Sequence, residues 1–475
     1  MSKKTKWSYC VGAVGRDAAY ALVSMYLILY VQYTMNLTTA QFAVISAGMV
    51  VCMVWDAIND LMMGILIENT HWKMGKFKPW ILLGAILNAL VIVALFTIRP
   101  TGWGFVAFYC VGYLLWGMTY TMNDIAYWGM LPSLSSEAKT RNVLVTTMSV
   151  FTCVGQFAVA GVVPMVIAGN AVTAYRVIAL VVGLAFILFQ TITALGTVEK
   201  DRREMINKLS LSDMFGIFKR NDQLVYAGIG SLLFNIGQNL LIIFGVNFFY
   251  VEFGYAQSGN LVFLFTVMYG VGALVSQAAY AFISSRLKRQ QILSISTAMI
   301  AILYLCFLSV GYILPKNIFL LNSIGLLIFF FQGLINLTLI VMINNTIEYD
   351  EYRFSERNDS VISAVRSFSV KLAAGVNQGL STLVLVLSGI YAVSRRISEL
   401  EIQVNQKLLT TNQVLESATQ YLLSIRPGQG FVLRLGMTVI PIATIGGMYL
   451  LLRKKYFIDE NEYDRLVEQI ASRDK

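Results

Sequence analysis

The sequence predicts an all-α, polytopic membrane protein with twelve transmembrane helices in two six-helix bundles. Composition is the first observation behind this prediction: of 475 residues, 57% are hydrophobic and 13% are charged, whereas an ordinary soluble domain carries about 25% charged residues. The mean hydropathy is +0.66. The second observation is that many apolar runs reach the roughly 20 residues that a helix needs to cross a bilayer. The third is the distribution of Lys and Arg between the loops.

Each predicted span is an apolar run between polar or charged loops. In the first half of the chain the spans cover residues 10–34, 41–67, 79–98, 104–131, 143–168 and 173–196. In the second half they cover residues 224–250, 259–284, 291–313, 318–346, 361–391 and 431–452. The start, MSKKTKWSYC, is basic, but the run behind it contains Arg16 and Asp17 and is long enough to span. We therefore expect no cleavable signal peptide.

Basic residues set the predicted orientation. With the N-terminus inside, 25 Lys and Arg residues fall in cytoplasmic segments and 7 in outside segments, as the positive-inside rule requires. This bias also accounts for the net charge of +10, so no nucleic-acid partner is expected. The sequence thus predicts a multi-pass protein of a bacterial plasma membrane, in contact with lipid and with both termini cytoplasmic.

The charged cytoplasmic loop 197–223 divides the chain into an N-terminal bundle, 1–196, and a C-terminal bundle, 224–452. A cytoplasmic tail, 453–475, follows. Six spans on each side of such a loop are typical of the major facilitator fold, which places the substrate site between the halves near the midplane. We expect a monomer.

The outside segment 392–430 is longer than a connection between two spans needs to be. Its apolar residues Ile397, Leu400, Val404 and Leu408 have the spacing of one helix face, which predicts an amphipathic helix on the outer surface. A role in binding a partner is an open alternative.

Asp56 and Asp60 lie one helical turn apart inside an apolar run and so share one helix face. A carboxylate at membrane depth costs about 2.5–3.5 kcal/mol on insertion scales, and such residues usually mark an ion or substrate path. Two like charges on one face cost more unless a cation or a proton lies between them. The pair is therefore a candidate site for a coupling cation.

The fourth predicted span carries Tyr120, Asp124 and Trp128 at i, i+4 and i+8, which form one stripe. Aromatic faces on both sides of a carboxylate suit a sugar, because its C–H patches stack on rings and its hydroxyls donate to the carboxylate. Packing is the alternative interpretation. Thr121 and Asn59 add oxygens near the carboxylates, and an all-oxygen set favours an alkali cation or a proton over a transition metal.

Other residue types exclude several functions. The five cysteines lie in or beside apolar runs without metal-binding spacing, which indicates packing residues. His71 is the single histidine and lies in a basic loop. No nucleophile–base pair is apparent, so we expect neither an enzyme nor a cofactor, and no metal other than an alkali cation at Asp56 and Asp60.

Four motifs resemble the glycoside–pentoside–hexuronide:cation symporter family, within the major facilitator superfamily. They are WDAIND at 55–60, KMGKFKPWILLG at 73–84, WGMTYTMNDIAYWGMLP at 116–132 and EYDEYRF at 348–354. The resemblance extends from about Lys6 to the C-terminal tail. The melibiose permeases are the best-known members of this family. The resemblance implies a carrier that works by alternating access.

The resemblance also implies roles for individual residues. It assigns the coupling cation to the positions of Asp56 and Asp60, assisted by Asn59 and Thr121. It assigns the sugar hydroxyls to Asp17 and Asp124, with further residues lining the pocket or lying close to both sites: Arg16, Tyr120, Trp128 and Lys371. Arg16 stands where melibiose permeases have lysine. Ser149 stands where the family usually has a sugar-binding arginine, which leaves the sugar open.

The expected function is symport of a sugar with Na⁺ or H⁺, with Li⁺ as a further candidate ion, into the cell. A glycoside, pentoside, oligosaccharide or hexuronide would fit. Two alternatives stay open at this point. One is proton-coupled efflux of amphipathic compounds on the same fold, which the hydroxyl-friendly stripe disfavours. The other is a non-transporting sugar sensor, which the lack of an apparent output domain disfavours.

Overall fold

The structure, a computed structural model, describes residues 2–69, 72–135, 138–199, 216, 220–354 and 359–473. His71 lies outside these residues, as does most of the loop 197–223. The described chain is helical, as the sequence predicts. Its first seven helices are α1 (Lys3–Ala21), α2 (Leu27–Thr34), α3 (Thr39–Glu68), α4 (Lys78–Thr97), α5 (Trp103–Leu134), α6 (Ala138–Ile167) and α7 (Ala171–Gly196). A π-helical turn, Leu22–Tyr26, joins α1 to α2.

Ten further helices follow in the described residues. They are α8 (Asp222–Ile243), α9 (Gly245–Phe253), α10 (Ser258–Ser284), α11 (Arg289–Ser309), α12 (Ile318–Phe354), α13 (Asp359–Leu387), α14 (Ile390–Asn405), α15 (Thr411–Leu423), α16 (Pro427–Lys455) and α17 (Glu460–Arg473). Within this part of the chain, twelve helical segments are long and apolar enough to cross a membrane. The predicted all-α, twelve-span class is therefore confirmed.

Exposed apolar side chains on the spans fit a lipid environment. On α7, four of them are spaced three to seven residues apart along one face: Val181, Leu184, Leu188 and Leu195, which are 60%, 67%, 58% and 73% exposed. A soluble monomer rarely exposes a continuous apolar stripe of this length. Lipid tails would cover it without the cost of hydrating apolar surface.

The chain forms two compact units. Unit 1 contains α1 to α7 together with Val246–Thr266 and Thr382–Gly430. Unit 2 contains α8, Val267–Ser381 and the chain from Phe431 onward. The division into two six-helix bundles at the loop 197–223 stays a prediction.

Helix α12 is longer than the predicted span 318–346, because it continues to Phe354. The extra turns are polar, so hydropathy alone ends the span too early. Two interactions within unit 2 hold these turns: Arg220 Nη2 lies 3.3 Å from Asp350 Oδ2, and the Tyr349 hydroxyl donates to Asp222 Oδ1 at 3.1 Å. Asp350 is fully buried.

The segment 392–430, which the sequence predicts to lie outside, holds two helices, α14 and α15, rather than one. Gly389 has a φ of 73°, a left-handed conformation that glycine adopts without strain, and it lets the chain turn between α13 and α14. Helix α14 is amphipathic, and Ile397 on its packed face is fully buried. The inclusion of Leu408 in this face was wrong, because α14 ends at Asn405 and Leu408 is 69% exposed in the turn that follows.

Candidate functional site

The site in unit 1 is built on α1, α3, α5 and α6. Helix α1 packs between α6 and α7, and α5 packs on α3 and α4. Tyr9 and Tyr127 join α1 to α5: their rings stack with centroids 4.4 Å apart, and the Tyr9 hydroxyl donates to the Tyr127 carbonyl at 2.8 Å. The Tyr127 hydroxyl donates in return to the Tyr9 carbonyl. These contacts between Tyr9 and Tyr127 fix the register in which the charged residues of α1 lie against α5.

Arg16 is the centre of a buried charge cluster. Its side chain is 4% exposed and lies between two aspartates. Nη2 donates to Asp17 Oδ2 at 2.8 Å and Nε to the same oxygen at 3.2 Å, while Nη1 lies 3.3 Å from Asp124 Oδ1. The Asp124 side chain is 34% exposed, so one face of the cluster is open to a solute.

Helix α6 completes the surroundings of Asp17. Thr152 Oγ1 donates to Asp17 Oδ2 at 3.0 Å, and Gln156 Nε2 donates to Oδ1 at 3.4 Å. Sequence reasoning missed both residues, although their i, i+4 spacing in an apolar run was an available signal. Ser149 on the same helix is exposed and donates to the Val145 carbonyl. It therefore does not take the place of an arginine beside Asp17.

Aromatic rings line the cluster. The Arg16 guanidinium lies over the rings of Tyr127 and Trp128, at 4.7 and 5.4 Å from their centroids. The Tyr120 ring lies 5.2 Å from that of Tyr20 and 5.9 Å from that of Trp116. Trp128 is 41% exposed and Tyr20 38%. The structure thus places Trp128 of the predicted stripe beside the guanidinium and Tyr120 among neighbouring rings. It adds three rings that the sequence did not single out: Tyr20, Trp116 and Tyr127.

The paired aspartates of α3 face α5. Thr121 Oγ1 donates to Asp60 Oδ1 at 3.1 Å. One turn earlier, Asp56 Oδ1 lies against Gly117: a Cβ at this position would be 2.5 Å from that oxygen, so a larger residue would displace the Asp56 carboxylate. Gly117 and Thr121 are one turn apart, as are Asp56 and Asp60. Both carboxylates therefore lie on the α3 face that packs against α5.

Asn59 lies between the two aspartates in sequence and is 3% exposed. Its Nδ2 is buried and has no hydrogen-bond partner among the described residues. The oxygen and nitrogen of an amide are nearly interchangeable in shape, so the opposite orientation would put a free oxygen at this position. Such an oxygen is a ligand that an alkali cation accepts.

Lys371 lies on α13 in unit 2, where its side chain is half-buried. The cluster around Arg16, in contrast, belongs to unit 1. Within the described residues, no group of three or more His, Cys, Asp or Glu side chains is arranged to hold a metal ion. The individual binding roles of the predicted residues stay predictions.

Charged side chains buried among apolar helices usually mark a substrate or ion path, a feature typical of membrane carriers. The chain belongs to the MFS/sugar transport protein family, whose sequence profile matches residues 8–460. This membership confirms the resemblance to the sugar symporters. It also agrees with the prediction that the protein is not an enzyme, because the family is one of transporters.

Relatives and a solved structure agree with this membership. The chain is 26% identical over 411 residues to the lactose permease of Leuconostoc lactis, covering 80% of this chain and 62% of the permease. It is 23% identical over 403 residues to the glucuronide carrier protein homolog of Escherichia coli, covering 82% and 85% of the two chains. The crystal structure of a D-xylose-proton symporter superposes with a TM-score of 0.59 at 14% identity, covering 90% of this chain and 98% of that one. This superposition confirms the major facilitator fold.

Proposed function

We propose that the protein imports a sugar in symport with a monovalent cation by alternating access. The observation that carries this proposal is the cluster of Arg16, Asp17 and Asp124 beside the Tyr120 and Trp128 rings. Carboxylates accept from sugar hydroxyls, the guanidinium donates to them, and the rings stack on C–H faces. Family membership supports a sugar as the solute, and the named relatives carry neutral or acidic sugars.

The proposed cation site comprises Asp56, Asp60, Asn59 and Thr121. These residues offer carboxylate, amide and hydroxyl oxygens, which suit Na⁺ or Li⁺. A proton on one carboxylate would relieve the same repulsion. Na⁺ is the first candidate, because proton coupling requires only a titrating carboxylate and makes no use of the two neutral oxygens.

Helix α5 is the proposed link between the two ligands. Thr121 contacts Asp60, while Asp124, one turn further on, contacts Arg16. A cation that neutralises Asp56 and Asp60 would change the strength of the hydrogen bond between Thr121 and Asp60. This change would in turn bias the position of Asp124. In this scheme each ligand raises the affinity for the other.

The proposed setting is a bacterial plasma membrane, with a monomer embedded in lipid and both termini in the cytoplasm. The excess of basic residues in the predicted inside loops supports this orientation. Labelling of single cysteines introduced into the loops 73–78 and 312–317 from each side of the membrane tests it.

Uptake into proteoliposomes that contain only the purified protein tests the function. We expect labelled sugar to accumulate under an inward Na⁺ or H⁺ gradient, and Asp56→Cys to abolish accumulation. Asp459→Cys is the matched control, because Asp459 is exposed beyond the last span and should leave accumulation intact. Full accumulation by the Asp56→Cys protein would overturn the cation site. Sugar binding without any uptake would favour a sensor instead.

A further inference from the structure

The ends of three spans from the second half of the chain pack within unit 1. Besides α1 to α7, this unit contains Val246–Thr266 and Thr382–Gly430, which hold most of α9, the start of α10 and the end of α13. The proposed orientation places all three ends on the outer side. The predicted substrate path runs between first-half and second-half spans, so contacts among these ends would close that path from outside.

Asn247 on α9 is the centre of one such contact. Its Oδ1 accepts from Gln32 Nε2 and from the Tyr33 hydroxyl, both at 2.7 Å. About one turn further along α9, the Tyr250 ring meets that of Tyr33 edge to face, with centroids 5.2 Å apart. All four side chains are buried. The end of α2 is therefore joined to α9 by two hydrogen bonds to one oxygen.

A second contact joins Ser46 near the start of α3 to Thr382 near the end of α13. Their hydroxyl oxygens are 2.5 Å apart, and both residues are buried. Hydrogen bonds between such groups exchange for bonds to water with a small net change in free energy, whereas exposed apolar surface carries its full cost of hydration. Buried polar pairs therefore suit an interface that forms and breaks in each transport cycle.

Helix α14 contacts the same region of unit 1. It follows α13 in the chain and packs on α2. The Tyr391 ring stacks on that of Phe42 of α3, with centroids 4.2 Å apart. Asn36, just after α2, donates to Glu399 Oε1 at 2.9 Å and accepts from Arg395 Nε at 2.5 Å. The segment after α13 thus binds the ends of first-half helices, which a short connection could not reach.

We propose that these contacts form an outer gate, closed in this structure, which α14 holds shut and which must open to admit sugar from outside. The gate comprises two contacts, Asn247 with Gln32 and Tyr33, and Ser46 with Thr382. Helix α14 is its latch. This inference rests on the proposed alternating access, and it gives a role to the length of the segment 392–430.

A disulfide across the gate tests whether it must open. Ser46→Cys and Thr382→Cys are combined in a protein whose five native cysteines are replaced by alanine. Copper phenanthroline and O₂ take two electrons and two protons from the paired thiols, and dithiothreitol returns them. Sugar uptake into proteoliposomes is measured before oxidation, after it and after reduction. We expect oxidation to abolish uptake and reduction to restore it.

Ala89→Cys with Gly183→Cys is the matched control for the gate disulfide. A Cβ at Gly183 would lie 3.4 Å from the Ala89 Cβ, close to the roughly 3.5–4.5 Å that a disulfide requires. This pair joins α4 to α7, two helices of the first half that pack on each other. Its oxidation should leave uptake unchanged, because no contact of the proposed gate is locked.

Labelling of the single variant Ser46→Cys tests the gate and its latch without any sugar. A membrane-impermeant maleimide is applied from outside, in the same cysteine-free background. We expect Asn247→Ala, which removes the acceptor of two hydrogen bonds, to speed labelling about tenfold. Tyr391→Phe keeps the stacked ring, loses one hydrogen bond and should speed labelling about threefold. Asn239→Ala is the control, since Asn239 donates to the Asn235 carbonyl within α8.

Full uptake with the gate disulfide formed would overturn the inference, because the span ends would then stay in unit 1 while the spans bend elsewhere. Labelling of Ser46→Cys that is unchanged in Asn247→Ala, or raised equally in Asn239→Ala, would also overturn it. Unchanged labelling in Tyr391→Phe would remove the latch role of α14. If the unoxidised protein took up no sugar, the proposed function would be contradicted, and the labelling rates would still decide whether the gate opens.

Discussion

Asp17 shows how individual side chains shape the site. Its side chain is 8% exposed, and its carboxylate accepts hydrogen bonds from Arg16, Thr152 and Gln156. A buried carboxylate needs such donors, because an unpaired charge away from water is costly. The same donors hold the carboxylate in one orientation. If Asp17 binds a sugar hydroxyl as proposed, these donors must share the carboxylate with it.

Thr152→Val tests this positioning role. The change removes one hydrogen bond to a charged acceptor, worth about 1.5–3 kcal/mol, and keeps the shape of the side chain. We expect sugar affinity to fall about tenfold or more while the Na⁺ dependence of uptake persists. Equilibrium sugar binding to the purified protein measures the effect.

Thr147→Val is the control for Thr152→Val. Thr147 is half-buried on the same helix, where its hydroxyl donates to the Val143 carbonyl rather than to Asp17. Unchanged sugar affinity in Thr152→Val, or an equal loss in both variants, would contradict a specific role for Thr152.

Single-residue predictions from the sequence were strongest where the spacing lay within one helix. The i, i+4 pair of Asp56 and Asp60 required only the helical repeat. The donors Thr152 and Gln156 could not be predicted, because they reach Asp17 from a helix more than 130 positions away. Helical spacing does not show which neighbouring helix a face meets.

At the scale of elements, helix α14 is anchored to the rest of unit 1 through Glu401. This fully buried carboxylate accepts from the backbone N–H groups of Gly169 and Ala171 at 2.8 and 2.7 Å, and from the Tyr255 hydroxyl at 2.7 Å. Ala171 begins α7, so Glu401 satisfies free N–H groups at that helix N-terminus. Tyr391 adds a second anchor, donating to the Leu37 carbonyl at 3.0 Å.

Burial raises the pKa of Glu401 above its ordinary value, although the hydrogen bonds from Ala171, Tyr255 and Gly169 act in the opposite direction. The folded state therefore holds the proton more tightly than the unfolded state does. By linkage, the free energy of unfolding falls as the pH rises from the unfolded pKa through the folded one.

Glu401→Gln should abolish this pH dependence and destabilise α14 by about 1–3 kcal/mol, because one amide oxygen replaces two carboxylate oxygens for three donors. Hydrogen exchange of α14 amides from pH 4 to 8, corrected for intrinsic rates, measures both effects. Glu416→Gln on α15 is the control, since Glu416 is exposed. A pH slope that persists in Glu401→Gln would refute the assignment.

Elements were predictable in number and class, and less so in extent. Twelve spans follow from hydropathy, because each apolar run must satisfy its own backbone in lipid. The extension of α12 to Phe354 and the helix α15 did not follow from hydropathy, because the exposed residues of both segments are polar. Packing and capping stabilise them: Thr410 and Gln413 form a capping box at the start of α15.

At the scale of the whole molecule, coupling between cation and sugar is the central proposal. If α5 links the two sites, Na⁺ must raise the affinity for sugar by the same factor by which sugar raises the affinity for Na⁺. Coupling energies of 1–3 kcal/mol correspond to factors of about 5–150.

Thr121→Ala should reduce this factor toward one, because it removes the contact between α5 and Asp60. Thr121→Ser keeps the hydroxyl and should retain the coupling. Sugar titrations at zero and saturating Na⁺, together with Na⁺ titrations with and without sugar, give both factors. Wild-type protein with a factor of one would disprove coupling, and full coupling in Thr121→Ala would exclude the route through α5.

The sequence by itself determined the membrane class, the twelve apolar helices and the paired carboxylates, because hydropathy and helical spacing act within a few turns of one segment. Only the tertiary structure decided which groups meet. Thr152 donates a hydrogen bond to Asp17, and Arg366 lines a polar cavity. Glu401 accepts from the N–H group at the start of α7, some 230 residues earlier in the chain. Such contacts depend on how helices pack across long sequence separations, and no local pattern encodes that packing.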